Sequence, residues 1–274
     1  MFRAAFGFLA VCLITLADRG LAQEFRVYTQ VRDLSASTSP VSRSLTMWHA
    51  GNVYDVIHQT GEVTILETTQ RRCSILNSDK RLMTSVDFDE LRHLLQVAED
   101  RLSQRVQELD GKANASRDLI EALRFQVRPR FSAELTVLEA NQKRLSLESK
   151  PLSYEVLGQS GLPSEAVEAY LNYADWACRL NFVLHPQPVF PTARLELNHQ
   201  LRKAGLFPLQ VALRAKLDQP LNLQAVHSLT WSLDTRDRES IHRWESLLRD
   251  PKLQKVSLTE YQRVALGQTT AKAR

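Results

Sequence analysis

From Phe25 to Asp33 the chain alternates Phe25, Val27, Thr29 and Val31 with polar or charged neighbours, the period of two that marks a half-buried strand. After a small-residue loop at 35–40, five short runs follow: SRSLTMWH, VYDVIHQ, EVTILETT, CSILN and RLMTSV. Gly51-Asn52, Gly61 and Ser78-Asp79 lie between them, residue types that suit tight turns. The expectation is an antiparallel meander. Its first hairpin is expected to turn around Gly51-Asn52, setting His49 opposite Tyr54 and His58 opposite Leu45.

At Asp87 the spacing changes to a helical one, and Phe88, Leu91, Leu95, Ala98, Leu102, Val106 and Leu109 fall on one stripe. Asp87 and Glu90 have the spacing of a capping box. A second helix is expected over 115–126, before Pro129. Strands return at FSAELTVLE, KRLSLES and LSYEVLG, and Pro163 opens a helix running to Leu184. Pro186, Pro188 and Pro191 form a stiff connector, after which Thr192 is expected to cap a helix ending at Gly205. LQVALRAKL and LQAVHSLTWSLD read as a strand pair, followed by a helix over 235–249 and a last turn at Ser257–Glu260.

Strands, helices, strands, helices, strands and a helix, in that order, predict an α+β fold. The expected form is a curved antiparallel sheet, a meander plus later strand pairs, covered by several helices. Leu229, Trp231 and Leu233 fall on one side of the last strand, so Trp231 is expected to be largely buried under a helix. Residues 186–191 are the best internal boundary, but the strand pair beyond them is too small a sheet to stand alone. Residues 23–262 therefore read as one α+β domain and 263–274 as a disordered tail.

Composition changes this picture little. In 274 residues, 43% hydrophobic and 24% charged side chains exclude wholesale disorder. The net charge of +4 is too mild to imply nucleic acid. Arg71-Arg72 and the stretch RFQVRPR at 124–130 are the densest basic spots, and with Phe125 and Phe131 between the charges they read as a solvated face.

The N-terminus is more informative. Arg3 precedes an uncharged run, Ala4–Ala17, and Gly20 and Ala22 suit a signal-peptidase site before Gln23. The run is 14 residues, short of the roughly 20 needed to span a bilayer. The expectation is a cleaved signal peptide at 1–22 and an exported protein, periplasmic or secreted, with no transmembrane anchor in the mature chain. Cleavage removes Cys12 and leaves Cys73 and Cys178, either as one disulfide or as two buried thiols.

Catalytic signals are missing from the string. GxGxxG, GxxxxGK[ST], GxSxG, HExxH and CxxCH do not occur. The histidines, at 49, 58, 93, 185, 199, 227 and 242, are scattered. His49 and His58, on one hairpin, are too far apart to share a metal. Asp87, Asp89 and Glu90 read as helix-start charge rather than a catalytic cluster. Asn114-Ala115-Ser116 has glycosylation spacing only. No catalytic, cofactor-binding or metal-ligating residue is assigned from the sequence, and no cofactor is implied.

The stretches EFRVYTQVRDL, PVSRSLTMWHAGNVYDVIHQTGEVTILE, RLELNHQL, GLFP and LTWSLDTRDRESI resemble a family of exported bacterial proteins with no assigned activity. The resemblance brings no site residues. The scheme of export signal, meander and later helices also resembles the lipoprotein-carrier class, whose half-barrel sheets hold acyl chains; a helix pair interrupting the sheet early departs from it. Three functions follow as expectations. The first is a non-enzymatic envelope protein binding an apolar or lipid-like ligand. The second is a structural or protein-interaction module using the 88–109 helix stripe. The third is a hydrolase with an unrecognised site.

Overall fold

The computed structural model describes residues 24–35, 39–112, 114, 116–185, 188–217, 220–265 and 267. The expected signal peptide and residues 268–274 of the expected tail lie outside the described residues. Residues 263–265 do not form a tail, because they close the last helix, α6 (Leu258–Ala265).

The meander forms as expected. Strands β1 (Phe25–Asp33), β2 (Pro40–His49), β3 (Asn52–Ile57), β4 (Glu62–Glu67), β5 (Arg72–Asn77) and β6 (Leu82–Asp87) pair in sequence, each antiparallel to the next. The β2–β3 turn is Ala50-Gly51, not Gly51-Asn52. Both turn residues have positive φ, 49° and 80°, as a type I′ turn needs, and Gly takes the second place without steric cost. That choice moves the register, so His49 lies opposite Asn52 and Met47 opposite Tyr54.

Helix α1 (Phe88–Asp110) starts directly at the end of β6. The expected capping box is not made: Asp87 is still extended, and its side chain caps no backbone N–H. Helix α2 (Arg117–Val127) begins two residues later than expected, because Ser116 is its cap and accepts from the Leu119 N–H. Strands β7 (Ser132–Glu139), β8 (Gln142–Glu148) and β9 (Leu152–Gln159) form a second meander. Helices α3 (Ser164–Leu184) and α4 (Pro191–Ala204) follow, and Gly205 ends α4 with a left-handed φ of 62°. Thr192 does not cap α4; its hydroxyl instead donates to the Gln126 carbonyl at the end of α2. The Gln126 side chain takes the Phe190 N–H at 2.8 Å, so α2 is fastened to the start of α4.

The last strands decide the topology. β10 (Phe207–Ala215) pairs with β9, and β11 (Leu221–Thr230) pairs with β1. The pair beyond the proline connector therefore sits in the middle of the sheet and joins the two meanders. Helix α5 (Thr235–Leu248) and the short β12 (Gln254–Lys255), parallel to β6, complete the chain before α6. Among the described residues this is an α+β fold with one open, mostly antiparallel sheet of twelve strands, ordered β12-β6-β5-β4-β3-β2-β1-β11-β10-β9-β8-β7.

Period-two alternation gives the sheet two faces. On one, Phe25, Trp48, Leu66, Ile75, Tyr154 and Val211 share a buried cluster with Leu91 of α1, Leu171 of α3, Leu197 of α4 and Tyr261 of α6. On the other, Met47, Tyr54, Ile65 and Leu76 share a second cluster with Ile241 and Trp244 of α5. Helix α5 is held there by a capping box, Asp234 with Asp237, which Arg26 of β1 grips at 2.8 and 2.5 Å. Trp231 is not buried under a helix. It lies one residue past the end of β11, is 44% exposed, and leans its ring towards Phe25 at 6.0 Å.

Candidate functional site

The larger face carries polar groups along its middle row, where the sequence suggests only alternating strands. Thr29 of β1 and His227 of β11 are direct partners across the register. The Tyr170 hydroxyl of α3 is 3.4 Å from His227 Nε2, and the Arg194 guanidinium of α4 lies close enough for its charge to act on Tyr170. His227 Nδ1 lies within hydrogen-bond distance of Thr29 Oγ1, at 2.9 Å. Burial and the Arg194 charge push the His227 pKa down to about 3, so the ring is neutral at neutral pH.

The network continues outward. Arg194 Nε donates to Asn198 Oδ1 at 3.1 Å, and the fully buried Asn198 donates to Asp175 Oδ1 at 2.7 Å. Asp175 is also bound by Arg202 at 2.8 Å. The residues are far apart in the chain, and the nonlocal β1–β11 pairing is what brings them together.

Beside this chain lies a pocket of about 250 Å³, open on one side to solvent. Val31, Val211, Leu213, Leu223 and Ala225 of β1, β10 and β11 form its floor, with Tyr154 of β9. Cys178, Asn181 and Phe182 of α3 form one wall, and Val189, Phe190, Pro191 and Arg194 the other. Burial raises the Cys178 thiol to about 11 and the Tyr154 hydroxyl to about 12, so both stay protonated. The lining is therefore apolar apart from one amide, neutral donors and one guanidinium.

Two other cavities differ in character. A groove of about 800 Å³ runs between α1, α2 and the β8–β9 turn. Its basic side chains include Arg124, paired with Asp110, and Lys150, paired with Asp118 and Glu121. Arg128 and Arg130 from the basic stretch are exposed, where water solvates them. A pocket of about 310 Å³ lies at the first half of α3, against Phe25, Trp48, Asn172 and Tyr173. The Trp48 indole N–H is buried without a hydrogen-bond partner.

The face also gathers carboxylates that the sequence left unremarked. Glu62 accepts from Tyr261 at 3.0 Å and lies 3.3 Å from His185 Nε2. Asp55 accepts from Thr46 at 2.7 Å, and burial raises its pKa above the ordinary carboxylate value. These acids are bonded by neighbouring side chains and so serve first as internal ties between strands and helices. His49 bonds Glu24 at 2.6 Å, whereas the His58 ring lies tilted beside Tyr28 at 6.2 Å, so the two closest histidines in sequence share no partner. Cys73 and Cys178 are free thiols, not a disulfide.

Both ends of the helix stripe are used inside the molecule. Phe88 and Leu91 join the main cluster with Leu95 packed against it, and Val106 and Leu109 close on Ile120 of α2. Among the described residues no helix is long and apolar enough to cross a membrane, and no group of three or more acidic, histidine or cysteine side chains is placed to hold a metal. No protein-family model and no curated protein matches the chain.

Proposed function

We propose that this is a non-enzymatic exported binding protein that holds a small apolar ligand between its sheet and helices α3 and α4. In this reading the sheet is curved, helices α1, α3, α4 and α6 cover its larger face, and the pocket is the place where that cover stays open. The observation that carries the proposal is the pocket itself: an apolar floor from four strands, two helical walls, and a mouth to solvent. Its volume, below the roughly 300–1,000 Å³ of drug-sized sites, suits one short chain or the end of a longer one.

The leader-like N-terminus and the resemblance to exported bacterial proteins support action outside the cytoplasm. The interaction reading is the weaker one, since Phe88, Leu91 and Leu95 of the 88–109 stripe pack with the main cluster and Val106 and Leu109 with α2. A hydrolase would draw on Glu62 and His185, but the carboxylate of Glu62 is already bound by Tyr261. Calorimetric titration of the purified protein with 1-octanol, alongside native mass spectrometry for co-purified ligand, tests the proposal. Saturable uptake at one site is expected. A protein that arrives empty and takes up neither 1-octanol nor any other eight-carbon amphiphile would remove the ligand-binding reading.

A further inference from the structure

Arg194 is the feature of the pocket that an apolar ligand alone leaves unexplained. Its residue is half-buried, and among the described residues no carboxylate pairs with it. The carboxylate its network reaches, Asp175, lies beyond Asn198 and is held by Arg202. The Arg194 charge acts on Tyr154, Tyr170, Cys178 and His227. Burial keeps all four uncharged at neutral pH, the three acids by raising them and the imidazole by lowering it. A guanidinium against an apolar wall, with neutral neighbours, is a charge short of its counter-ion.

The surroundings add to the same sign. Arg194 sits in the first turn of α4, whose cap, Phe190, offers no side-chain acceptor to the free backbone N–H groups. The positive end of the helix dipole thus lies on the pocket wall. The guanidinium has five N–H donors. Asn198 takes the one on Nε, and the four on the terminal nitrogens meet no carboxylate among the described residues.

We infer that the pocket selects a monocarboxylate with an apolar tail, its carboxylate bound to Arg194 and its tail lying on Val211, Leu213, Leu223 and Ala225. The inference rests on the ligand-binding reading above. One positive charge calls for one negative charge, and a carboxylate is flat and matches the guanidinium edge in a bidentate pair. A phosphate dianion carries more charge than the site balances, and an alcohol leaves the arginine uncompensated. Asn198 acts as a positioning residue, because it fixes the guanidinium at Nε without reaching the tail.

The test compares octanoate with 1-octanol on the full chain by calorimetry, at pH 7 and fixed ionic strength. Octanoate is expected to bind roughly tenfold or more tightly than octanol, the ratio that one charge-assisted hydrogen-bond pair supplies. Arg194→Gln is expected to bring the two within about threefold of each other, and Arg194→Lys to keep part of the preference as a point charge. Circular dichroism establishes that each variant is folded; if Arg194→Gln is not, the wild-type ratio decides alone. Equal affinity for the two probes, or a preference that survives Arg194→Gln, overturns the assignment of Arg194 and leaves the pocket standing. Failure of both probes to bind overturns the pocket reading and this inference together.

Discussion

Strands β5 and β7 both come from antiparallel meanders, yet five of the six residues of β5 are buried and all eight of β7 are exposed. Propensity does not separate them, since RCSILN and SAELTVLE both alternate and both carry large aliphatic side chains. Layers separate them. β5 has the main cluster on one face through Ile75 and the α5 cluster on the other through Leu76. β7 is the end of the sheet, and Leu135, Val137 and Leu138 stand in solvent at 46%, 68% and 40% exposure. The first half of the sheet has a buried cluster on each face, one of them shared with α5. At β7 neither face is buried. The pocket lies between these extremes, on β1, β9, β10 and β11, where one face is packed while Val226, Ser228 and Thr230 on the other reach solvent. A binding site that must admit a ligand fits the half with fewer constraints.

The sharpest way to break this comparison is to remove the second layer from the closed half. Trp244 of α5 is 8% exposed and stacks on Tyr54 at 6.3 Å, while the Tyr54 hydroxyl donates to Glu245 at 2.8 Å. Trp244→Ala is expected to cost about 3–5 kcal/mol in urea unfolding, the usual range for a buried aromatic truncated to alanine. Val137→Ala on β7 is expected to stay within about 0.5 kcal/mol. Equal losses at the two sites would contradict the contrast between strands buried on both faces and a strand buried on neither.

The second test uses pH on the junction between the halves, where Thr29–His227 ties β1 to β11. His227 is neutral in the fold, with a pKa lowered to about 3 from an ordinary 6.5. Between those values the unfolded chain binds a proton that the folded chain excludes, so stability rises with pH and falls as acid is added. The loss is expected to total a few kcal/mol by pH 3, starting below about pH 6.5. His227→Gln, which keeps neutral hydrogen bonding, should flatten that part of the curve. An unchanged acid limb in the variant would show that His227 does not govern it.

A smaller effect is expected where α5 begins. Asp237 is 5% exposed, accepts from the Asp234 N–H at 2.9 Å, and binds Arg26 at 2.5 Å. Asp237→Ala removes both bonds, and a loss of about 1.5–3 kcal/mol is expected from thermal or urea melts. The closed half should carry the damage: amide exchange is expected to quicken in β3 and β4, while β8 and β9 keep their protection. Uniform loss of protection would mean that the two halves unfold as one unit.

The sequence exposes much of this architecture because its signals are local. Turn residues at ten-residue spacing, the switch of period at Asp87, Pro163 before α3 and Gly205 after α4 each leave a mark within a few positions. The strand order leaves no such mark. Nothing in LNLQAVHSLT says that it pairs with Phe25–Asp33, almost two hundred residues away, and without that pairing Thr29 and His227 have no reason to be grouped. The candidate site was hidden for the same reason. Arg194 reads as one of many helix-surface arginines, and only the fold reveals that its neighbours are neutral. A half-buried arginine without a carboxylate partner is a property of a place, and a place here takes residues from six elements.

Trp231 gives the smallest and most diagnostic prediction. Alternation along LTWSLD would carry the strand through Trp231 to Leu233, and a tryptophan buried that way would cost about 3–5 kcal/mol to truncate. The strand instead stops at Thr230, the chain bends towards the Asp234 cap of α5, and Leu233 passes to the α5 cluster while Leu229 remains against the main one. Trp231 is left at the crossing, 44% exposed, with Phe25 as its aromatic neighbour at 6.0 Å. Phe25 itself does not depend on it, being stacked on Trp48 at 4.1 Å and 12°. Truncation should therefore remove partial burial without opening a cavity, and Trp231→Ala is expected to cost about 1 kcal/mol, with a fluorescence maximum for Trp231 that is already red-shifted in the native state. A loss above about 3 kcal/mol would mean that the crossing between the two faces is a third packed region, and the division of the sheet into closed and open halves would have to be redrawn around it.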